Sequence, residues 1–305
     1  MKKIYSVCGM CGTRCLTEAY VENGGAVWVQ GNPQAATGTA LCARGLAAVV
    51  LEKDAERPLS PLLRTGKRGE NQWREATWDE ALDTVAERLR AVRERYGSES
   101  VALSHRGGPF TDLYAAFARG LGTPNIYSHS VTCTRNVDRA CASVLGLDRG
   151  DLVMDYREAR HIVLSGRNAL EAINLPEVAA ITEAKARGCR LTVMDVRTSV
   201  SAARADTFFL MRPGTDYAMN LAVLNVLIGE KRYAPHMASR IDGFEDLAAF
   251  VRPYTPQWAE GETGIKAERI TRLAHELAEA APRVIWYPGW FTARYADSFA
   301  TSTAV

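Results

Sequence analysis

Four cysteines constrain this chain more than anything else in it. Cys8, Cys11 and Cys15 lie in Val-Cys-Gly-Met-Cys-Gly-Thr-Arg-Cys, and Cys42 follows in Leu-Cys-Ala-Arg-Gly. The spacing is C-x2-C-x3-C with a single fourth cysteine much later in the chain. A chain that brings four thiolates together folds around a metal centre, either an iron–sulfur cluster or a tetrahedral zinc. Zinc ribbons pair their ligands as two C-x2-C knuckles, and here the second half supplies one cysteine. Three close thiolates with a fourth on a returning segment suit the corners of a [4Fe–4S] cube, with zinc as the alternative.

The remaining cysteines, Cys133, Cys141 and Cys189, are scattered, which excludes a disulfide framework. With 305 residues the chain is long enough for two or more domains, and its net charge of +2 gives no basis for binding nucleic acid. The longest apolar run, 219–229, is interrupted by Asn220 and Asn225 and is too short to span a bilayer. The opening Met-Lys-Lys-Ile-Tyr-Ser-Val-Cys holds no signal peptide or twin-arginine leader. Taken as it stands, the sequence predicts a cytoplasmic protein; a missing leader would place it on the outer face of the cytoplasmic membrane.

After Cys15, the segments 19–21 and 26–29 read as a hairpin around Glu22-Asn23-Gly24-Gly25. A polar, glycine-bearing loop delivers Cys42, and 46–51 reads as a short helix. Residues 64–71 read as a basic surface loop. Thr77-Trp78-Asp79-Glu80 is a capping box, followed by Ala81, Leu82, Val85, Leu89 and Val92 at helical spacing and a stop at Gly97. Strands then alternate with helices: strands at 100–104, 161–165, 190–194, 207–210 and 284–287, helices at 112–121, 176–187, 217–228 and 267–280. This alternation predicts an α/β fold with a parallel, Rossmann-like sheet, preceded by a small module of short antiparallel strands.

In open α/β sheets, ligands bind beyond the carboxyl ends of the strands. Those ends here read Ser165-Gly166-Arg167-Asn168, Asp195-Val196-Arg197-Thr198-Ser199, Arg212-Pro213-Gly214-Thr215-Asp216 and Tyr287-Pro288-Gly289-Trp290. Glycine lets backbone approach a ligand, arginine and hydroxyls bind phosphate, and a carboxylate accepts from a ribose or a guanine edge. Together they point to a nucleotide-type ligand.

The cysteine motif, the capped helix after Ala-Thr-Trp-Asp-Glu-Ala and the Arg-Pro-Gly-Thr-Asp loop resemble those of the molybdopterin oxidoreductases, along the whole chain. Tyr-Ser-Val-Cys-Gly-Met-Cys and the segment 125–133 look most like catalytic subunits of thiosulfate and polysulfide reductases. The resemblance implies a [4Fe–4S] cluster on Cys8, Cys11, Cys15 and Cys42, beside a molybdenum (or tungsten) bis(molybdopterin guanine dinucleotide). Arg44 would stand between cluster and pterin. Cys133 would ligate the metal, with Cys141 as its rival, and His129 would carry protons nearby. Gly166, Asn168 and Glu171 would meet the pyrophosphate and pterin of one cofactor half. Asp195, Arg197 and Ser199 resemble an Asp-Pro-Arg loop in which Val196 replaces proline. Pro213 and Gly214 would shape the loop in which Asp216 accepts from guanine.

The same resemblance implies a division into a cluster domain (1–60), a region with the metal-ligand loop (61–150) and a cofactor-binding domain (151–305). It implies an oxidoreductase that reduces thiosulfate or polysulfide, with electrons arriving from a partner iron–sulfur subunit and a quinone-reacting membrane anchor. Formate dehydrogenase and arsenate reductase share the motif; Thr134 stands where formate enzymes carry histidine after the metal ligand. A non-catalytic electron-transfer scaffold and a zinc protein are the other readings. Members of this family are more than twice as long, so the sequence reads as the N-terminal part of such an enzyme.

Overall fold

The structure, a computed structural model, describes residues 1–35, 40–106, 110–171, 174–289, 292 and 294–305. Gly107, Gly108 and Pro109, Trp290 of an expected strand-end loop, and 36–39 ahead of Cys42 lie outside the described residues. The chain divides into two compact units, Met1–Val131 and Thr132–Val305.

The first unit opens with three antiparallel strands, β1 (Lys2–Val7), β2 (Leu16–Glu22) and β3 (Gly25–Gly31). The expected hairpin is β2–β3, and its turn has Asn23 at φ 50° and Gly24 at φ 82°. Both central residues are left-handed, as the twist of a two-residue hairpin demands. Strand β1 pairs in register from Lys2↔Val21 to Val7↔Leu16. Its six residues are all exposed, so no apolar alternation marked it in the sequence. Two short helical turns follow, α1 (Ala43–Leu46) and α2 (Ala48–Glu52), broken at Ala47 where a single helix was expected.

The expected loop 64–71 is instead mostly the turn of a hairpin, β4 (Leu62–Arg64) with β5 (Trp73–Glu75). Next comes α3 (Trp78–Tyr96), whose Thr77 side chain accepts from the Glu80 N–H at 3.2 Å. The Glu80 carboxylate does not complete the capping box; it pairs with Arg74. The apolar stripe of α3 forms at the expected spacing but stays exposed: Trp78 at 68%, Leu82 at 60% and Val85 at 54%. Strand β6 (Leu103–His105), helix α4 (Thr111–Leu121) and strand β7 (Ile126–Ser128) complete the unit, with β6 and β7 parallel.

The second unit runs α5 (Arg135–Leu145), β8 (His161–Ser165), α6 (Leu175–Ala186), β9 (Arg190–Asp195), α7 (Val200–Ala203), β10 (Thr207–Leu210), α8 (Asp216–Gly229), α9 (Pro235–Ala238), α10 (Phe244–Val251), α11 (Pro256–Thr263), α12 (Ala267–Ala280), β11 (Val284–Pro288) and α13 (Ser298–Thr303). The strands form one parallel sheet in the order β10-β9-β8-β11. The order reverses between β8 and β11, which makes that boundary the topological switch point.

Both faces of the sheet are covered, which is why its strands read as unbroken apolar runs. Side chains alternate across each strand. Val163, Met194 and Phe209 pack under Met219, Leu273 and Ile270, whereas Ile162, Leu164, Leu191 and Val193 pack under Ile181 and Ala184. Each such aliphatic side chain contributes about 1.5–3 kcal/mol by leaving water. Among the described residues no helix is long and apolar enough to cross a membrane.

Candidate functional site

The first unit carries the cysteines. Cys8, Cys11 and Cys15 occupy the β1–β2 connection, and the Cys8 N–H donates to the Cys15 carbonyl at 2.8 Å, continuing the ladder across its mouth. Three thiols are thereby held on one short loop. Cys42 is the residue from which α1 departs. All four are free and partly exposed. Burial, then the charges of Cys8, Cys11 and Cys42, push the Cys15 thiol up. Among the described residues no three Cys, His, Asp or Glu side chains converge as one metal ion requires, whereas an iron–sulfur cube spreads its thiolates further apart. Arg44, in α1, acts through its charge on Cys11.

At the end of β7 in the same unit, His129 lies 2.8 Å by its Nε2 from Nη1 of Arg106, which stands just beyond β6. Both residues follow carboxyl ends of parallel strands.

In the second unit, the expected loops gather beyond the carboxyl ends of the sheet. Gly166, at φ 61°, leaves β8 with its N–H on the Met194 carbonyl at 2.8 Å. Gly289, at the end of β11, donates to the Ser165 carbonyl at 2.6 Å. A Cβ on Gly289 would stand 1.9 Å from the Gly166 oxygen, so the two loops at the switch point touch backbone to backbone. Asn168 Oδ1 accepts from the Ser201 N–H at 3.1 Å and from its hydroxyl at 2.9 Å, while Asn168 Nδ2 donates to Glu171. Arg197 lies 3.8 Å from Glu171, its side chain 62% exposed. Ser199 caps α7, and the Asp195 carboxylate accepts from the Val196 N–H at 2.7 Å. Asn168, Ser201, Glu171 and Arg197 are thus linked, while Asp195 and Ser199 bond within their own segment.

Arg167, in the same loop, is not available to a ligand. It is paired with the buried Glu177, which also accepts from Tyr156 at 2.8 Å, and it stacks over Tyr287 at 4.0 Å. Pro213 and Gly214 follow β10; Gly214 has φ 80° and open space around its Cβ position. Asp216 opens α8, 8% exposed, and accepts from the Ser165 hydroxyl at 3.1 Å. Burial raises its pKa, with Asp297 and Asp195 adding repulsion against the Ser165 hydrogen bond.

Cys133 stands before α5, and Nη2 of Arg294 approaches its sulfur at 3.5 Å. The next residue, Tyr295, reaches the Gly214 backbone and lies among Asp195, Asp216 and Asp297. The segment 294–297 thus ties Cys133 to the strand-end loops. Helix α13 packs on α5, with Asn136 bonded to Ser298. Cys141 lies on α5, its thiol pushed up by burial, and Cys189 is buried just before β9. Sequence reasoning missed Arg294 and Ser201: each acts across a long sequence separation and has no local signature.

The molybdopterin oxidoreductase model matches residues 57–261, and its Fe4S4 domain model matches residues 1–50. The chain belongs to the molybdopterin oxidoreductase family. The thiosulfate reductase molybdopterin-containing subunit PhsA of Salmonella typhimurium is 36% identical over 286 residues, covering 93% of this chain and 37% of that protein. The acetylene hydratase of Syntrophotalea acetylenica is 30% identical over 292 residues, 40% of its length. Formate dehydrogenase H of Escherichia coli is 28% identical over 335 residues, 45% of its length. The solved structure of acetylene hydratase from Pelobacter acetylenicus superposes with a TM-score of 0.86 at 27% identity, over 99% of this chain and 42% of that one. The chain thus spans about two fifths of the length of these relatives.

The cofactors of this molybdopterin oxidoreductase are a [4Fe–4S] cluster and a molybdenum bis(molybdopterin guanine dinucleotide). The residues present suit both. Four neighbouring free thiols are a cluster's donor set, and the matched domain sets the zinc alternative aside. The exposed Arg197 and the open Gly214 offer a cation and close backbone approach to a diphosphate.

Proposed function

We propose that the protein to which these residues belong reduces a small anionic sulfur compound, thiosulfate or polysulfide. The observation that carries this reading is the pairing of the Cys133 thiol with the Arg294 guanidinium. When bound, the metal–pterin group supplies two-electron redox chemistry at that place. Cys133 would hold the metal through a soft thiolate. Arg294 would draw an anion to it by charge and hydrogen bonding. Thiosulfate takes up two electrons and one proton as its S–S bond breaks, leaving sulfite and hydrosulfide, so a proton donor is required; His129, held by Arg106, has the chemistry for that part. The similarity to PhsA over 93% of the chain supports this substrate class.

On this reading residues 1–60 form the cluster module, 61–150 the region with the metal-ligand loop, and 151–305 the cofactor-binding domain. Asn168, Glu171, Asp195, Arg197 and Ser199 receive the pyrophosphate and pterin, and Asp216 the guanine. Electrons arrive from an iron–sulfur partner subunit linked to a quinone-reacting membrane anchor.

The test is sulfide release from thiosulfate and polysulfide by the full-length enzyme with reduced viologen as donor. Cys133→Ala is expected to abolish it, and Arg294→Ala to raise KM for the anion. Undiminished release by the Cys133 variant would sink the ligand assignment, and turnover of formate alone would replace the substrate.

A further inference from the structure

The amino ends of the parallel sheet carry a polar pocket, at the opposite end from the strand-end loops. Arg190 opens β9 and Thr207 opens β10. Both line a pocket of about 200 Å³, together with Asp206 and with Arg269, Arg272 and Glu276 of α12. These three residues of α12 recur at i, i+3 and i+7, which puts them on one face of the helix. Strands of four and six residues, at about 3.3 Å each, put the pocket roughly 15 Å from the strand-end loops.

The carboxylates of this pocket are already committed. Asp206 pairs with Lys185 and accepts from the Leu191 N–H at 2.8 Å, and Glu276 pairs with Arg190 at 3.0 Å. The two arginines of α12 have no such compensation. Arg269 donates through Nη2 to the Phe208 carbonyl at 2.8 Å and lies over the Phe209 ring at 4.5 Å, so neither partner carries a charge. That bond also fixes its guanidinium against the edge strand β10, which orders one fork before any ligand arrives. Arg272 is exposed, and among the described residues no hydrogen bond or ion pair engages it.

We infer that this pocket binds a tetrahedral oxyanion of the phosphate or sulfate class between Arg269 and Arg272, with the Thr207 hydroxyl as a further donor. Like charges one helical turn apart repel. An anion between them replaces that repulsion with charge-assisted hydrogen bonds to two planar forks. A cation finds no free carboxylate here. The volume is below the about 300–1,000 Å³ typical of pockets for larger ligands, so it suits one small ion and its water, not a nucleotide. Its place at the amino ends of the strands keeps it apart from the loops proposed to receive the cofactor.

The experiment titrates the whole chain with inorganic phosphate, and separately with sulfate, at constant ionic strength, following backbone and arginine Nε–H signals by NMR. The expected result is saturable binding, with a dissociation constant on the order of a millimolar. The signals of Arg190, Thr207, Arg269 and Arg272 should move together. Arg272→Ala is expected to weaken binding about tenfold. Arg272→Lys, which keeps the charge and loses the fork, should fall between the two. Shifts that never saturate, or an unchanged affinity in Arg272→Ala, overturn the inference. Binding lost in Arg197→Ala and kept in Arg272→Ala also overturns it, because the anion then sits in the strand-end loops.

Discussion

Gly289→Ala is the sharpest test of how the strand-end loops are held. A Cβ there would lie 1.9 Å from the Gly166 oxygen, 2.5 Å from its carbonyl carbon and 3.1 Å from the Arg167 nitrogen. All three are backbone atoms, so no side-chain rotation relieves the clash. The loops must separate by more than an ångström, which breaks the 2.6 Å bond from the Gly289 N–H to the Ser165 carbonyl. Losing that bond with its groups left indoors costs about 1–3 kcal/mol, and the forced backbone shift adds about 1–3 kcal/mol. The expected loss is therefore roughly 2–6 kcal/mol. Gly214→Ala is the control. Gly214 has φ 80° but nothing near its Cβ position, so only the left-handed backbone is penalised, by about 1–2 kcal/mol. Urea unfolding of the chain followed by circular dichroism measures both. If Gly289→Ala costs no more than Gly214→Ala, the backbone contact at the switch point is not what holds these loops.

Two further predictions concern pH. The Asp216 pKa is raised in the folded chain, so the fold binds its proton more tightly than the unfolded chain does. Stability then falls as pH rises from the unfolded value through the folded one, and stays reduced at neutrality. Asp216→Asn is expected to stabilise the unliganded chain at pH 7 while weakening retention of the guanine cofactor; a destabilised asparagine variant would contradict this. His161, buried and 2.8 Å from the Thr192 hydroxyl, has its pKa pulled down to about 4, first by burial and then by the Arg190 charge. Its contribution is complete above the unfolded value and is lost as pH falls toward 4, amounting to about 3 kcal/mol. His161→Gln should make acid unfolding less steep across that window, and an unchanged profile would show that other groups govern it.

The sheet of the second unit was readable because its strands are buried on both faces and separated by helices of ordinary length. His161–Ser165 and Thr207–Leu210 fall where the apolar runs placed them. The hairpin turn at Asn23-Gly24 was readable because few residues tolerate two left-handed positions in succession. Strand β1 was not, because an exposed strand carries no alternation. Helix α3 was readable as a helix from Thr77 onward, yet the exposure of its apolar stripe could not be read, since spacing specifies a face and not its neighbour.

The site divides along the same line. Residue types at short spacing carry their chemistry in the sequence itself: three cysteines on one loop, and the Gly, Arg and Asp residues at strand ends. The sequence by itself narrowed the ligands to a four-thiolate metal centre and a nucleotide-type group, because ligand chemistry follows from which atoms a short loop presents together. Only the tertiary structure decided which side chains remain for that ligand. Arg167 turned out to be spent on the buried Glu177, and Asp216 to be held by Ser165. Arg294 came to Cys133 from the far end of the unit. Such partners meet through the packing of α13 on α5 and through the strand order of the sheet, contacts between residues far apart in the chain that no local spacing records.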